Sequence, residues 1–289
     1  MRVHPADEHM PARLAQGVPP DIRLVAVDLD GSLLDDAKRI HPSFWRLLDA
    51  LDERGVLLCP ASGRAYPTLR RDFGRDDLVY IAENGAYVVH HGREMSSDTI
   101  PWEHAAAALA AARRFGAGGA DVGSVLCGKR SAYVERTDAA FLAQVEPYYA
   151  ELAIVDDLLA VRDEVLKVAI YDFGSAEHGA GRALAPLDGP VRVLVSQEHW
   201  VDVMSPTADK GAALAAVQRA LGITRGQTMA FGDYLNDLGM LAAAEWSFAM
   251  DNAHPAVRAA ARFVAPANND NGVVRTVVAA LGLAGVLTG

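Results

Sequence analysis

The stretch "IRLVAVDLDGSLLDD", Ile22 to Asp36, decides how this chain is read. Ile22 to Val27 is an apolar run too short for a helix and rich in β-formers, the pattern of a strand buried on both faces. It ends on two carboxylates, Asp28 and Asp30, separated by one residue and followed by Gly31. Like charges so close repel, and one takes up a proton unless a cation lies between them. A hard cation such as Mg²⁺ takes oxygen ligands and keeps some of its water. The end of this strand is therefore a candidate site for a cation and for chemistry.

Working outward, Phe44, Leu47, Leu48 and Leu51 recur at a helical period between Pro42 and about Arg54, and Gly55 closes that helix. Val56 to Cys59 is a second buried strand, "SGRAYPTLRRDFG" opens another helix, and Leu78 to Gly85 is a third strand with a turn. Strand and helix thus alternate as β-α-β-α-β, the opening of a parallel sheet wrapped by helices. From Ala86 to Trp200 the pattern is less regular. It holds a hairpin through His91-Gly92, an Ala-rich helix ending near Gly116, a helix or two in "DAAFLAQVEPYYAEL", and strands in "SAYVER", "VLKVAIYDF" and "VRVLVS". Alternation resumes with a core strand at Val201 to Met204 and a helix from Lys210. Strands in "TMAFGD", "WSFAM" and "RFVA" follow, with helices between and after them. The expected fold class is α/β, a doubly wound parallel-sheet core with an inserted α+β domain. The expected division is a flexible polar tail over 1–20, a core over 21–85 and 201–289, and an insert over 86–200. Met10 offers a second possible start.

In an open parallel sheet, ligands bind beyond the carboxyl ends of the strands. The residues following each core strand are therefore the candidates. They are Asp28, Asp30 and Gly31, then Ser62, Gly63 and Arg64, then Glu83, Asn84 and Gly85. Next come Thr207, Asp209 and Lys210, then Asp233, Asn236 and Asp237, then Asp251 and Asn252. Asp233 and Asp237 stand four apart at a helix start, hence on one face, and can complete a cation site begun by Asp28 and Asp30. Lys210 opens a helix, where a cation opposes the macrodipole and a bound anion would remove the conflict. Ser62 offers a hydroxyl beside the backbone N–H groups of another helix start, an arrangement suited to phosphate. A carboxylate nucleophile, a second carboxylate for protons, a divalent cation, and Lys and Ser for phosphate make a phosphoryl-transfer site working through an aspartyl-phosphate. The residues alone do not tell Asp28 from Asp30.

Composition narrows the partners. The 289 residues carry a net charge of −10, with no basic run of the kind that tracks a phosphate backbone, so nucleic acid is not expected as a partner. No stretch of 18 apolar residues occurs, and the N-terminus lacks the apolar core of a secretory signal. Neither a membrane span nor secretion is expected. Cys59 and Cys127 are too few for a disulfide framework and match no zinc spacing, which fits a reducing cytoplasm. The histidines at 90, 91, 178 and 199 form no ligand pattern and read as surface residues. Trp102 and Trp200 read as packing. Lys167 interrupts an apolar strand and faces either a cleft or solvent.

Four segments in order, "DLDGSLL", "ASGR", "DKGAAL" and "GDYLNDLGML", together resemble the haloacid dehalogenase superfamily of phosphatases. "AENGA", "FAMDNA" and "NNDNGV" resemble its Cof-type branch, whose members carry a class IIB cap. The resemblance runs from about residue 21 to the C-terminus, and the long insert between Ser62 and Lys210 falls where class II caps are found. It implies that Asp28 is the nucleophile and a metal ligand, and that Asp30 is the general acid/base and also binds the metal. Asp233 and Asp237 would complete a Mg²⁺ site. Ser62, Gly63, Lys210 and Asn236 would bind phosphate. Arg64 and Asn84 would face the substrate or the cap hinge. Ser32 and Ser62 stand where Thr is commoner, Asp209 where Ser is frequent, and Asp251 where Gly is usual. The implied activity is Mg²⁺-dependent hydrolysis of small phosphorylated metabolites, sugar phosphates foremost. The rivals are a phosphomutase or a pathway-dedicated sugar-phosphate phosphatase on the same core, and a non-catalytic phosphosugar binder.

Overall fold

The structure, a computed structural model, describes residues 21–287. The tail expected over 1–20 lies outside the described residues. In chain order come β1 (Leu24–Val27), α1 (Ser43–Asp52), β2 (Leu57–Pro60), α2 (Tyr66–Phe73), β3 (Val79–Ala82), β4 (Tyr87–His90) and β5 (Arg93–Ser97). Then follow α3 (Trp102–Ala117), β6 (Val122–Gly128), β7 (Ala132–Val134), α4 (Ala139–Val145), β8 (Leu152–Ile154), β9 (Val165–Asp172), α5 (Ala180–Leu184), β10 (Arg192–Val195) and β11 (Trp200–Met204). The chain closes with α6 (Lys210–Leu221), β12 (Thr228–Gly232), α7 (Leu238–Ala242), β13 (Trp246–Met250), α8 (Pro255–Ala260), β14 (Phe263–Ala265) and α9 (Gly272–Leu281).

Two compact units emerge. Among the described residues one comprises 21–62, 76–95 and 209–287, and the other comprises 63–75 and 96–208. These bounds differ from an insert over 86–200: the β4–β5 hairpin as far as Met95 groups with the first unit, and α2 with the second.

The first unit is built on a five-stranded sheet in the order β14-β13-β12-β1-β2, parallel throughout. All four residues of β1 are buried, which explains an uninterrupted apolar strand: helices cover both faces of such a sheet. One of these helices, α1, turns Phe44, Leu47, Leu48 and Leu51 inward. Full burial of each such side chain is worth about 1.5–3 kcal/mol. Val25 lies opposite Leu58 on one side and Met229 on the other. The chain leaves β1 toward β2 and returns on β1's other side at β12. That reversal is the topological switch point, where loops beyond neighbouring strands diverge and open a crevice. Asp28 and Asp233 follow the two strands that flank it.

The third strand differs from the sequence reading. β3 pairs antiparallel with β4 in a separate three-stranded sheet, and its link to β2 is a short parallel bridge, Ala61 to Ile81. The bridge still lets the Ser62 N–H donate to the Ile81 carbonyl at 2.9 Å.

The second unit is a six-stranded sheet in the order β10-β11-β9-β6-β7-β8, antiparallel except for the β7–β8 pair. Side chains alternate along β9: Val168 and Ile170 pack with α3 and α5, whereas Ala169 and Tyr171 pack with Phe141, Val145 and Trp200. The strand read as returning to the core, Val201 to Met204, belongs here instead, as β11 between β10 and β9. Its five residues are buried on both faces, so its composition mimics a core strand of a parallel sheet. Helix α2 is fastened to this unit by Thr68, whose hydroxyl donates to the Tyr148 carbonyl at 2.8 Å and accepts from the Ala150 N–H at 3.0 Å.

Candidate active site

Asp28 directly follows β1 and is 6% exposed. Its Oδ1 accepts from Lys210 Nζ at 2.5 Å, and the same ammonium donates to Asp237 Oδ1 at 2.7 Å. The Lys210 and Asp237 side chains are wholly buried. A lysine at a helix start opposes the macrodipole. Here the two carboxylates answer it, and Asp209 caps the helix by accepting from the Gly211 and Ala212 N–H groups. Asp237 does two tasks. One oxygen holds Lys210, and the other accepts from the Asp233 and Tyr234 N–H groups, folding the loop after β12. Carboxylate oxygens of Asp28, Asp233 and Asp237 lie within 4.8 Å of one another. Gly31 has a φ of +88°, and a Cβ there would lie 2.2 Å from Asp233 Oδ2. The absence of a side chain at 31 thus makes room for that carboxylate.

Burial, and then the neighbouring Asp237, hold the Asp28 carboxyl well above the ordinary carboxylate range against the pull of Lys210. The same two causes raise Asp233 to about 6. Burial opposes the charge of Lys210, yet Asp237 and Asp28 outweigh it and keep the ammonium above the usual lysine range. Three carboxylates thus face one ammonium, leaving an excess of negative charge among all-oxygen donors. A hard divalent cation fits that donor set.

A second group of candidates is joined by hydrogen bonds. The buried Ser62 carbonyl accepts from the Asn84 N–H at 2.9 Å, and Asn84 Oδ1 accepts from Asn236 Nδ2 at 3.1 Å. Asp30 is half-exposed and pairs with Lys38 Nζ at 2.8 Å. The sequence reading missed Lys38. It reaches Asp30 from a loop whose left-handed backbone at 38 (φ 60°) no spacing rule announces. Arg64 pairs with Asp72 at 3.1 Å in the second unit. In that unit Lys167 is buried rather than solvent-facing: its Nζ donates to the Gly63 carbonyl at 3.1 Å and lies 3.7 Å from Asp202 Oδ1. Asn252 ties two loops, donating to the Gly31 carbonyl and accepting from the Asn268 N–H, so Asp251 in place of Gly leaves this loop engaged. Both cysteines are buried and neither is in a disulfide, Cys127 Sγ donates to Tyr149 Oη at 3.4 Å, and Trp200 packs in the core of the second unit.

A family model of haloacid dehalogenase-like hydrolases matches residues 25–277. The phosphatase for 5-amino-6-(5-phospho-D-ribitylamino)uracil, YbjI, of Escherichia coli (strain K12) is 31% identical over 261 residues, 89% of this chain and 95% of that protein. The HMP-PP phosphatase of Cronobacter sakazakii is 27% identical over 242 residues, 81% of this chain and 85% of the relative. Among solved structures, a haloacid dehalogenase-like hydrolase from Bacteroides thetaiotaomicron shares the fold with a TM-score of 0.78 at 22% identity, covering 89% of this chain and 98% of that one. The chain belongs to the haloacid dehalogenase-like hydrolases and is a phosphatase of their Cof-type branch. Among the described residues no helix is long and apolar enough to cross a membrane.

Proposed function

We propose that this phosphatase hydrolyses small phosphorylated metabolites, sugar phosphates foremost, through an aspartyl-phosphate on Asp28. The observation that carries the reading is the buried contact of Asp28 with Lys210 and Asp237, beside Asp233, at the switch point of the sheet. Asp28, with one oxygen held by Lys210, presents the other to phosphorus. Asp30 donates a proton to the departing oxygen of the substrate. It then takes a proton from the water that cleaves the phosphoenzyme, regenerating the Asp28 carboxylate and releasing phosphate. Lys210 balances charge on the transferring group, with Ser62, Gly63 and Asn236 as further donors around it. Mg²⁺, held by Asp28, Asp30, Asp233 and Asp237, would supply charge neutralisation of the phosphoryl oxygens.

The second unit is read as the cap that excludes water and selects the leaving group, with Arg64 and Asn84 toward the substrate or the hinge. The named substrate of the Escherichia coli relative carries its phosphate on a ribityl chain, and a phosphorylated polyol or sugar agrees with that chemistry. Two buried thiols outside any disulfide agree with a reducing cytoplasm.

The test is a phosphate-release screen over phosphorylated sugars and nucleotides with Mg²⁺ present, with Asp28→Asn as the blank. Free phosphate from sugar phosphates is expected. Isomerised sugar phosphate without free phosphate would instead make the protein a mutase, and binding without turnover would make it a sensor. Chelating the metal is expected to lower the rate at least about 100-fold, since metal charge stabilisation is worth several kcal/mol. Adding Mg²⁺ back is expected to raise the unfolding temperature, because only the folded acidic cluster binds it. Gly31→Ala is expected to cost roughly 100-fold in kcat/KM by displacing Asp233, a loss read from initial rates at fixed Mg²⁺.

A further inference from the structure

The turn Glu83–Asn84–Gly85 is built in an unusual way. Glu83 and Asn84 are successive non-glycine residues with left-handed φ values of 50° and 55°, and Gly85 follows at +100°. Asn tolerates this region better than most residues, while Glu does not. Both Glu83 and Asn84 are buried. A backbone held in this way persists where its surroundings over-determine it.

The surroundings are three loops carrying candidate phosphate-binding groups. The Asn84 N–H donates to the Ser62 carbonyl at 2.9 Å, so the turn touches the loop after β2. Asn84 Oδ1 accepts from Asn236 Nδ2 at 3.1 Å, so it touches the loop after β12. At Gly85 a Cβ would lie 2.4 Å from the Asp209 carbonyl oxygen and 3.0 Å from the Lys210 backbone nitrogen, so the turn lies directly against the start of α6. Ser62, Asn236 and Lys210 come from segments far apart in sequence, and this turn contacts all three. Any shift of the turn shifts their spacing.

We infer that Asn84 and Gly85 are positioning residues that set the spacing of the phosphate-binding groups Ser62, Lys210 and Asn236. The inference rests on the phosphatase reading above. In it, Asn84 acts through Asn236 and Ser62 and need not touch the substrate. Gly85 acts by leaving room for the Asp209–Lys210 peptide.

The experiment compares wild type with Asn84→Gly, Asn236→Ala, the double variant and Gly85→Ala, all with Mg²⁺. The readouts are kcat and KM for a generic aryl phosphate, the inhibition constant of inorganic phosphate, and the unfolding temperature. Asn84→Gly keeps the left-handed turn and removes the acceptor. It is expected to weaken phosphate inhibition about 5–10-fold and lower kcat, with the unfolding temperature held. Asn236→Ala also removes a phosphate donor and is expected to cost more, and the double variant no more than Asn236→Ala alone, because the Asn84 side chain acts through Asn236. Gly85→Ala is expected to lower kcat/KM at least about 100-fold through the displaced helix start. Additive losses in the double variant, or an unfolding temperature that falls while phosphate inhibition stays at the wild-type value, would overturn the inference. Asn84→Gly decides the matter if Gly85→Ala does not fold. Failure of the phosphatase reading shows separately, as wild-type protein that releases no phosphate.

Discussion

Asp28→Asn is expected to abolish phosphate release, by at least roughly 10³-fold in kcat, while leaving the protein folded. An amide has no anionic oxygen to attack phosphorus, and no other described carboxylate shares its position at the end of β1 against Lys210. Folding should survive because Asp28 is a buried charge whose ionised form its surroundings disfavour. The amide removes that cost, and Lys210 keeps Asp237. Initial rates with sugar phosphates and a thermal melt check both halves together. An unfolded variant would leave the lost rate uninformative, and a folded variant with wild-type rate would remove Asp28 from the chemistry.

Lys210→Met is expected to have the largest effect on stability. The side chain is wholly buried and donates to two carboxylates. Met replaces the apolar stem without the ammonium and leaves Asp28 and Asp237 without their shared cation. Breaking a buried pair by removing one partner costs about 3–5 kcal/mol. The turnover loss should be at least about 100-fold, since the charge facing the phosphoryl group goes with it. Mg²⁺ should recover part of the stability and little of the rate. Adding Asp28→Asn to Lys210→Met should cost less stability than the sum of the two, because the second change removes a charge the first left stranded. Denaturant unfolding of the four proteins, with and without Mg²⁺, tests this.

Much of the candidate site was legible in the sequence because its parts lie next to signals that local physics enforces. Asp28 and Asp233 end strands whose unbroken apolar runs mark burial on both faces. Lys210 stands beside the helix cap Asp209. The structure brings Asp28, Lys210, Asp233 and Asp237 together from segments some 180 residues apart.

What escaped was decided by pairing rather than pattern. β6, which is not among the expected strands, carries Gly123 and Gly128, and Gly123 leaves room for the Phe141 ring. β8 is three residues of unremarkable composition. β11 is buried on both faces in an antiparallel sheet, so its composition could not distinguish it from a core strand. Lys38 and the turn at 83–85 act through left-handed backbone, which only the packing around them fixes. The same limit hides the contacts of Asn84, which the sequence names as a candidate without joining it to Ser62 and Asn236.

The pairing of β1 with β12 also bears on how the chain is made. Residues 24–27 find one edge partner at 57–60 and the other only at 228–231. Contacts of such long sequence separation close large loops before they gain anything, and they form late. During synthesis the partner at 57–60 is available early, whereas the partner at 228–231 follows only after the residues of the six-stranded sheet. The crevice between the loops after β1 and β12 therefore cannot form before residues 228–231 have been made.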